Sequence, residues 1–193
     1  MRSILHRAVG GLALAAGLLA AMPASAETYD FGSLISGGDA PATASFATLT
    51  AEVVGSDVQF TLSAYGLDMF NGGAPWIGAM SVDGLKTGVV SDVNGDANVT
   101  MGKGDGPDGS FEFKFDFSDN VGKLVDNETV SWTWLGGAGH FDDLALHVKG
   151  LSYGDTNNAW YQATLAVPES STTAMMLAGL GVIGLMARRR RRR

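Results

Sequence analysis

The stretch Phe111-Glu112-Phe113-Lys114-Phe115-Asp116-Phe117 alternates without a break, with four phenylalanines on one side and Glu, Lys and Asp on the other. Successive side chains of a β-strand point to opposite faces, so a period of two gathers all the rings on one face. A strand with one apolar and one charged face suits an antiparallel sheet that packs one side on a core and shows the other to water. Val58-Gln59-Phe60-Thr61-Leu62-Ser63-Ala64-Tyr65 alternates likewise and is expected to pair with residues 45–53 across a Gly55-Ser56-Asp57 turn. Further strands are expected at 76–82, 87–91, 129–135, 144–148 and 160–165. About eight short strands with turn signals between them predict an all-β fold, an antiparallel β-sandwich of jelly-roll type.

Composition supports strands and turns over helices. Residues 27–167 hold 21 Gly, and Asp outnumbers Glu by 15 to 4, a balance that favours turns and breaks helices. The same stretch has 5 Lys, no Arg and 19 acids, a net charge of −14, although the whole chain carries −7. A domain of that charge has little with which to neutralise phosphates, which argues against nucleic acid as a partner. An anionic membrane surface repels it for the same reason. The chain contains no Cys, which excludes disulfides, thiolate metal sites and a cysteine nucleophile.

The positive charge sits at the two ends. Residues 1–26 have the order of a secretory signal peptide: Arg2 and Arg7, an apolar run over 8–21, then Pro23 and the small residues Ala24-Ser25-Ala26 that signal peptidase accepts. Cleavage is expected after Ala26, leaving Glu27 first. The alternative is an uncleaved anchor, for which the run is short against the roughly 20 residues of a span. At the other end Val167-Pro168-Glu169-Ser170 is followed by an apolar run over 174–187, then Arg188, Arg189, Arg190, Arg191, Arg192 and Arg193. The run is expected as a transmembrane helix of roughly 21 Å, short of a ~30 Å hydrocarbon core. Residues 170–173 and snorkelling arginines close most of that gap. The arginine cluster holds this end in the cytoplasm, in agreement with an exported front end. A buried core helix is the competing reading and leaves six consecutive arginines without a reason.

This order of short motif, apolar helix and arginine cluster resembles the PEP-CTERM sorting signal of Gram-negative bacteria. In that family a Pro-Glu-Pro motif is recognised by exosortase, a membrane protease-transpeptidase. Pro168 and Glu169 match the motif, and Ser170 stands where the family most often has Pro. The resemblance implies export, transient anchoring in the inner membrane, and release to the cell envelope or extracellular matrix. It also implies exosortase as a partner after signal peptidase, and a setting of exopolysaccharide and biofilm. The chain thus divides into a signal peptide (1–26), a β-sandwich domain (27–166) and a sorting tail (167–193).

Candidate chemistry in the domain is sparse. Asp92-Val93-Asn94-Gly95-Asp96 sets oxygen ligands at alternate positions, as a calcium loop begins. Ala97 then stands where such a loop has Gly, and Lys103 where it has its closing acid. A Ca²⁺ site at Asp92, Asn94 and Asp96, helped by Asp105 and Asp108, therefore competes with a solvated Asx-rich turn. His140 with Asp142 and Asp143 is a candidate metal or proton-shuttling set, and His147 shares a strand face with Ala145 and Lys149. Two G-x-G-x-x-G strings, at 104–109 and 179–184, lack the strand, loop and helix of a dinucleotide fold. No H-E-x-x-H helix occurs. Trp76, Trp132, Trp134, Tyr153, Trp160 and Tyr161 either stack on sugar rings or fill the core. Trp132 and Trp134 share a face, which favours the core; Trp160 and Tyr161 point oppositely, so one of them is expected to meet solvent. The expected function is that of a secreted, non-enzymatic surface or matrix protein. The alternatives are a carbohydrate-binding module or glycan-acting enzyme, and a surface protein whose helix is never cut.

Overall fold

The computed structural model describes residues 26–104, 106–117 and 122–166. Ala24, the apolar run of the signal peptide, Val167 to Ser170, the expected helix 174–187 and Arg188 to Arg193 lie outside the described residues. Among the described residues no helix is long and apolar enough to cross a membrane.

Among the described residues ten antiparallel strands follow one another: β1 (Ala26–Ser36), β2 (Ala47–Val54), β3 (Asp57–Ala64), β4 (Gly72–Gly84), β5 (Val89–Gly95), β6 (Val99–Lys103), β7 (Phe113–Phe117), β8 (Thr129–Leu135), β9 (Phe141–Tyr153) and β10 (Thr156–Leu165). The all-β, antiparallel expectation holds. The expectation of a two-sheet jelly roll does not: the strands form one sheet in the order β5-β8-β3-β2-β1-β10-β9-β4-β7-β6. This sheet curls until its outermost strands, β5 and β6, approach each other and nearly close a barrel. The curl has a physical source in the ladders. β1 shifts register against β10 at Phe31/Ser33 and Leu34/Ser36, and β4 shifts three times against β9. Each such irregularity bends a strand and adds twist, which lets long strands turn corners within one sheet.

The phenylalanine alternation sits in β7, where Phe113, Phe115 and Phe117 are buried and Lys114 and Asp116 face outward as an ion pair at 3.0 Å. Phe111 falls just before the strand and lies half-buried against Gly106. Across the interior, β7 meets the tryptophans of β8. Phe113 lies 5.1 Å from Trp134, and Phe115 lies 5.4 Å from Trp132. Phe60 of β3 packs 5.2 Å from Trp132. Each buried aromatic contributes about 1.5–3 kcal/mol by area, and each tilted or edge-on pair about 0.5–1.5 kcal/mol more. A second aromatic group, Phe46, Phe70 and Tyr161, fills the part of the interior beneath β10. The Tyr161 hydroxyl donates to the Pro41 carbonyl at 2.9 Å, and burial holds its pKa above the ordinary phenol range.

Candidate functional site

The ends of the described domain lie together. β1 and β10 are antiparallel neighbours, with Tyr29 opposite Leu165, and the Ala166 N–H donates to the Thr28 carbonyl at 2.8 Å. Ala26, after which cleavage is expected, already pairs with Glu52, and Glu27 pairs with Ala51. The Tyr29 hydroxyl donates to Glu27; burial and that carboxylate push the phenol above its ordinary range. The chain thus enters and leaves its fold through adjacent strands, and only Ala166 separates β10 from the segment that begins at Val167.

Asp92 and Asn94 lie on β5, an outermost strand. Its ladder with β8 slips between the pairs Ser91–Thr133 and Asn94–Ser131, and Asp92 occupies the slip with φ +50°. Non-glycine residues adopt such a conformation rarely. The Ser91 hydroxyl donates to the Asp92 carboxylate at 2.9 Å. Asp96 is employed differently. Its carboxylate accepts the Thr129 N–H, and its own N–H donates to the Thr129 carbonyl, each at 3.0 Å, which terminates the ladder. Among the described residues no group of three or more His, Asp or Glu is arranged to hold a metal ion. Asp92 and Asn94 instead border an open depression of about 340 Å³ on the outer face of β5, β8 and β3. Gln59, Thr61, Ser131 and Thr133 complete its polar lining. Sequence reading found Asp92 and Asn94 but missed the depression, because its lining comes from three strands joined by register alone.

His140 closes a turn, its N–H donating to Gly137 and its carbonyl accepting the Leu85 N–H. Asp142 and Asp143 are exposed at the start of β9. The acids that interact here are Asp83 and Glu112, which share a side-chain hydrogen bond. Glu112 also accepts the Gly84 N–H at 3.0 Å. The hydrogen bond to Glu112, then desolvation, then the charges of Glu112, Asp143 and Asp142 hold Asp83 above its ordinary carboxylate range. The Gly84 N–H and Asp83 hold Glu112 below its own. Carboxyls in hydrogen-bond contact are closer than the about 5–5.5 Å that a retaining glycosidase uses.

Trp132 and Trp134 belong to the core, as expected. The expectation that Trp160 or Tyr161 meets solvent is corrected. Tyr161 faces the interior at 0 % exposure, and Trp160, although turned outward, is only 6 % exposed. The His147 ring lies flat against the indole, with centroids 4.0 Å apart and planes 14° apart, and its Nε2 meets Asn158 Oδ1 at 3.3 Å. Trp76 is half-buried, with the ammonium groups of Lys123 and Lys149 at 4.6 and 5.1 Å from its ring centroid. The half-buried Tyr153 accepts the Asn71 N–H on its hydroxyl at 2.9 Å.

Comparison with known families matches residues 166–192 to the PEP-CTERM protein-sorting motif. No curated protein and no solved structure matches the chain. The motif implies export, sorting to the cell envelope and exosortase as the processing partner. This match starts at Ala166, directly after β10 and hydrogen-bonded to β1, so the chain carries a PEP-CTERM protein-sorting motif behind its β-domain.

Proposed function

We propose that the chain works as a secreted, non-enzymatic protein of the cell surface or extracellular matrix of a Gram-negative bacterium. In this reading signal peptidase frees Glu27. The tail then holds the protein in the inner membrane through the 174–187 run, and exosortase cuts near Pro168-Glu169 and releases the β-domain into a biofilm or exopolysaccharide layer. The observation that carries the reading is the sorting motif at 166–192, placed directly behind β10. A domain with a net charge of −14 and no Arg would stay soluble on release.

Deletion of residues 168–193 tests it. The truncated protein is expected to lose both membrane association and its normal site of accumulation, read by fractionation and blotting. Unchanged membrane partition and release would count against tail-directed sorting. Intact mass spectrometry of the mature protein is expected to show a chain beginning at Glu27 and lacking Arg188 to Arg193. Retention of the arginines would instead indicate a permanently anchored surface protein.

A further inference from the structure

We infer that the depression beside the β5 slip is a binding site for one unit of a neutral, hydroxyl-rich glycan. The inference rests on the surface or matrix reading above, since export is what brings this face to glycans. Phe60 and Trp132 form the floor through their backbones, because both rings are buried in the core. The walls are hydroxyls and amides: Thr61, Ser131 and Thr133, then Gln59 and Asn94, with the Asp92 carboxylate at the slip. At about 340 Å³ the space lies at the lower end of the range for small-molecule sites.

The chemistry of the lining selects among ligand classes. Hydroxyls and amides both donate and accept hydrogen bonds, and a carboxylate only accepts. A pyranose unit, which both donates and accepts at every hydroxyl, matches that mixture. An anionic unit meets Asp92 at close range, within a domain of net charge −14. A divalent cation finds one carboxylate in the lining, because Asp96 is engaged with Thr129. An apolar ligand meets a lining that is more polar than apolar, with the Phe60 and Trp132 rings turned into the core. Gln59, Thr61, Asn94 and Thr133 make no side-chain hydrogen bond among the described residues, so four adjacent side chains keep their capacity for a ligand. The slip has a role in this arrangement: Asp92, in its left-handed conformation, carries β5 away from register with β8 where the depression opens. Residues held in rare conformations concentrate at ligand sites.

The test uses the full-length, ¹⁵N-labelled chain in a zwitterionic, sugar-free detergent. It is titrated with maltohexaose, cellohexaose and xylohexaose, and in parallel with a polygalacturonate oligomer and with CaCl₂. At least one neutral oligosaccharide is expected to move the amide resonances of Gln59, Thr61, Asp92, Asn94, Ser131 and Thr133 with millimolar affinity. Gln59→Ala and Asn94→Ala are each expected to weaken that affinity about five-fold, the loss of one hydrogen bond. The near-UV signal of Trp132 and Trp134 should stay intact in both. Should Asn94→Ala disturb the edge strand, Thr61→Ala on the interior strand β3 reads the same loss. The inference is overturned if none of the three neutral oligosaccharides moves these resonances. It is equally overturned if only CaCl₂ or polygalacturonate does, or if folded variants bind as the parent does. Failed glycan binding with intact tail-dependent sorting overturns this inference and leaves the export reading standing; the reverse result overturns the export reading alone.

Discussion

Two tryptophans two residues apart show how single atoms set local energetics. Trp134 Nε1 donates to the Thr87 carbonyl at 2.6 Å, whereas Trp132 Nε1 is buried without a partner among the described residues. Replacing either ring by Phe removes similar volume. Trp134→Phe also strands the Thr87 carbonyl, while Trp132→Phe removes a donor already paying its desolvation cost. Trp134→Phe is therefore expected to be the more destabilising change, by about 2 kcal/mol in urea unfolding; equal losses would contradict the hydrogen-bond assignment. The Asp83–Glu112 pair makes a second prediction at this scale. Asp83 titrates above its ordinary value of 3.8 in the folded chain, so its contribution to stability is present in acid and is lost as pH rises through the raised value. Glu112 runs oppositely: its contribution is present above its ordinary value of 4.5 and is lost as pH falls through the lowered one. Asp83→Asn keeps a donor facing Glu112 and removes a charge facing Asp142 and Asp143. Its Tm is expected to exceed the parent's at neutral pH, with the difference shrinking towards pH 3. A Tm at or below the parent's at neutral pH would show that the shared proton is not what joins these two acids.

At the scale of elements, β1 holds the sheet together. It is the fifth of ten strands and pairs on one side with β2 and on the other with β10, the last strand in the chain. A chain starting at Gly32 loses Phe31, which is fully buried, along with every β1–β2 pair. It is expected to lack dispersed amide resonances and cooperative unfolding. A chain starting at Thr28 keeps Phe31 and the carbonyl that accepts Ala166 N–H, and is expected to fold. If both truncations fold equally well, β1 is not the joint. The sequence shows β8 to the residue at 129–135 and the β2–β3 hairpin with its turn, because alternation and turn chemistry are local signals. It does not show β1, whose alternation from Glu27 to Phe31 breaks at Gly32-Ser33 beside the expected cleavage point and whose partner β10 lies far along the chain. Nor does it show the closure of one sheet in place of two, since a period of two reports which face a residue takes and not which strand it meets. The depression is hidden for the same reason. Asp92 and Asn94 stand out by their chemistry, but Gln59, Thr61, Ser131 and Thr133 read as ordinary outward residues until register brings them together.

For the whole molecule, charge and topology act together. The outermost strands β5 and β6 leave backbone groups unpaired, and such edges invite pairing with a second copy. Here β5 is broken by its slip at Asp92, β6 is only five residues long and ends in Lys103, and the β-domain repels its copies through a net charge of −14. The cost of that solubility is self-repulsion within the fold, which salt screens over about 8 Å at physiological ionic strength. The two positive ends offset part of the charge, bringing the complete chain to −7. They join the described sheet beside Thr28 and Ala166, so their removal costs the ladders only the Ala26–Glu52 pair while deepening the net charge. The fragment 27–167 is therefore expected to unfold cooperatively, and to gain a few degrees in Tm as NaCl rises from about 10 to about 150 mM. The gain should be larger than that of the full chain measured in the same detergent. Ca²⁺ and Mg²⁺ at matched ionic strength are expected to act alike, because a general negative field does not distinguish them. A response to Ca²⁺ well beyond that to Mg²⁺ would instead locate a specific ion at Asp92 and Asn94, and Asn94→Ala would remove that excess while leaving the salt response of the remaining acids in place.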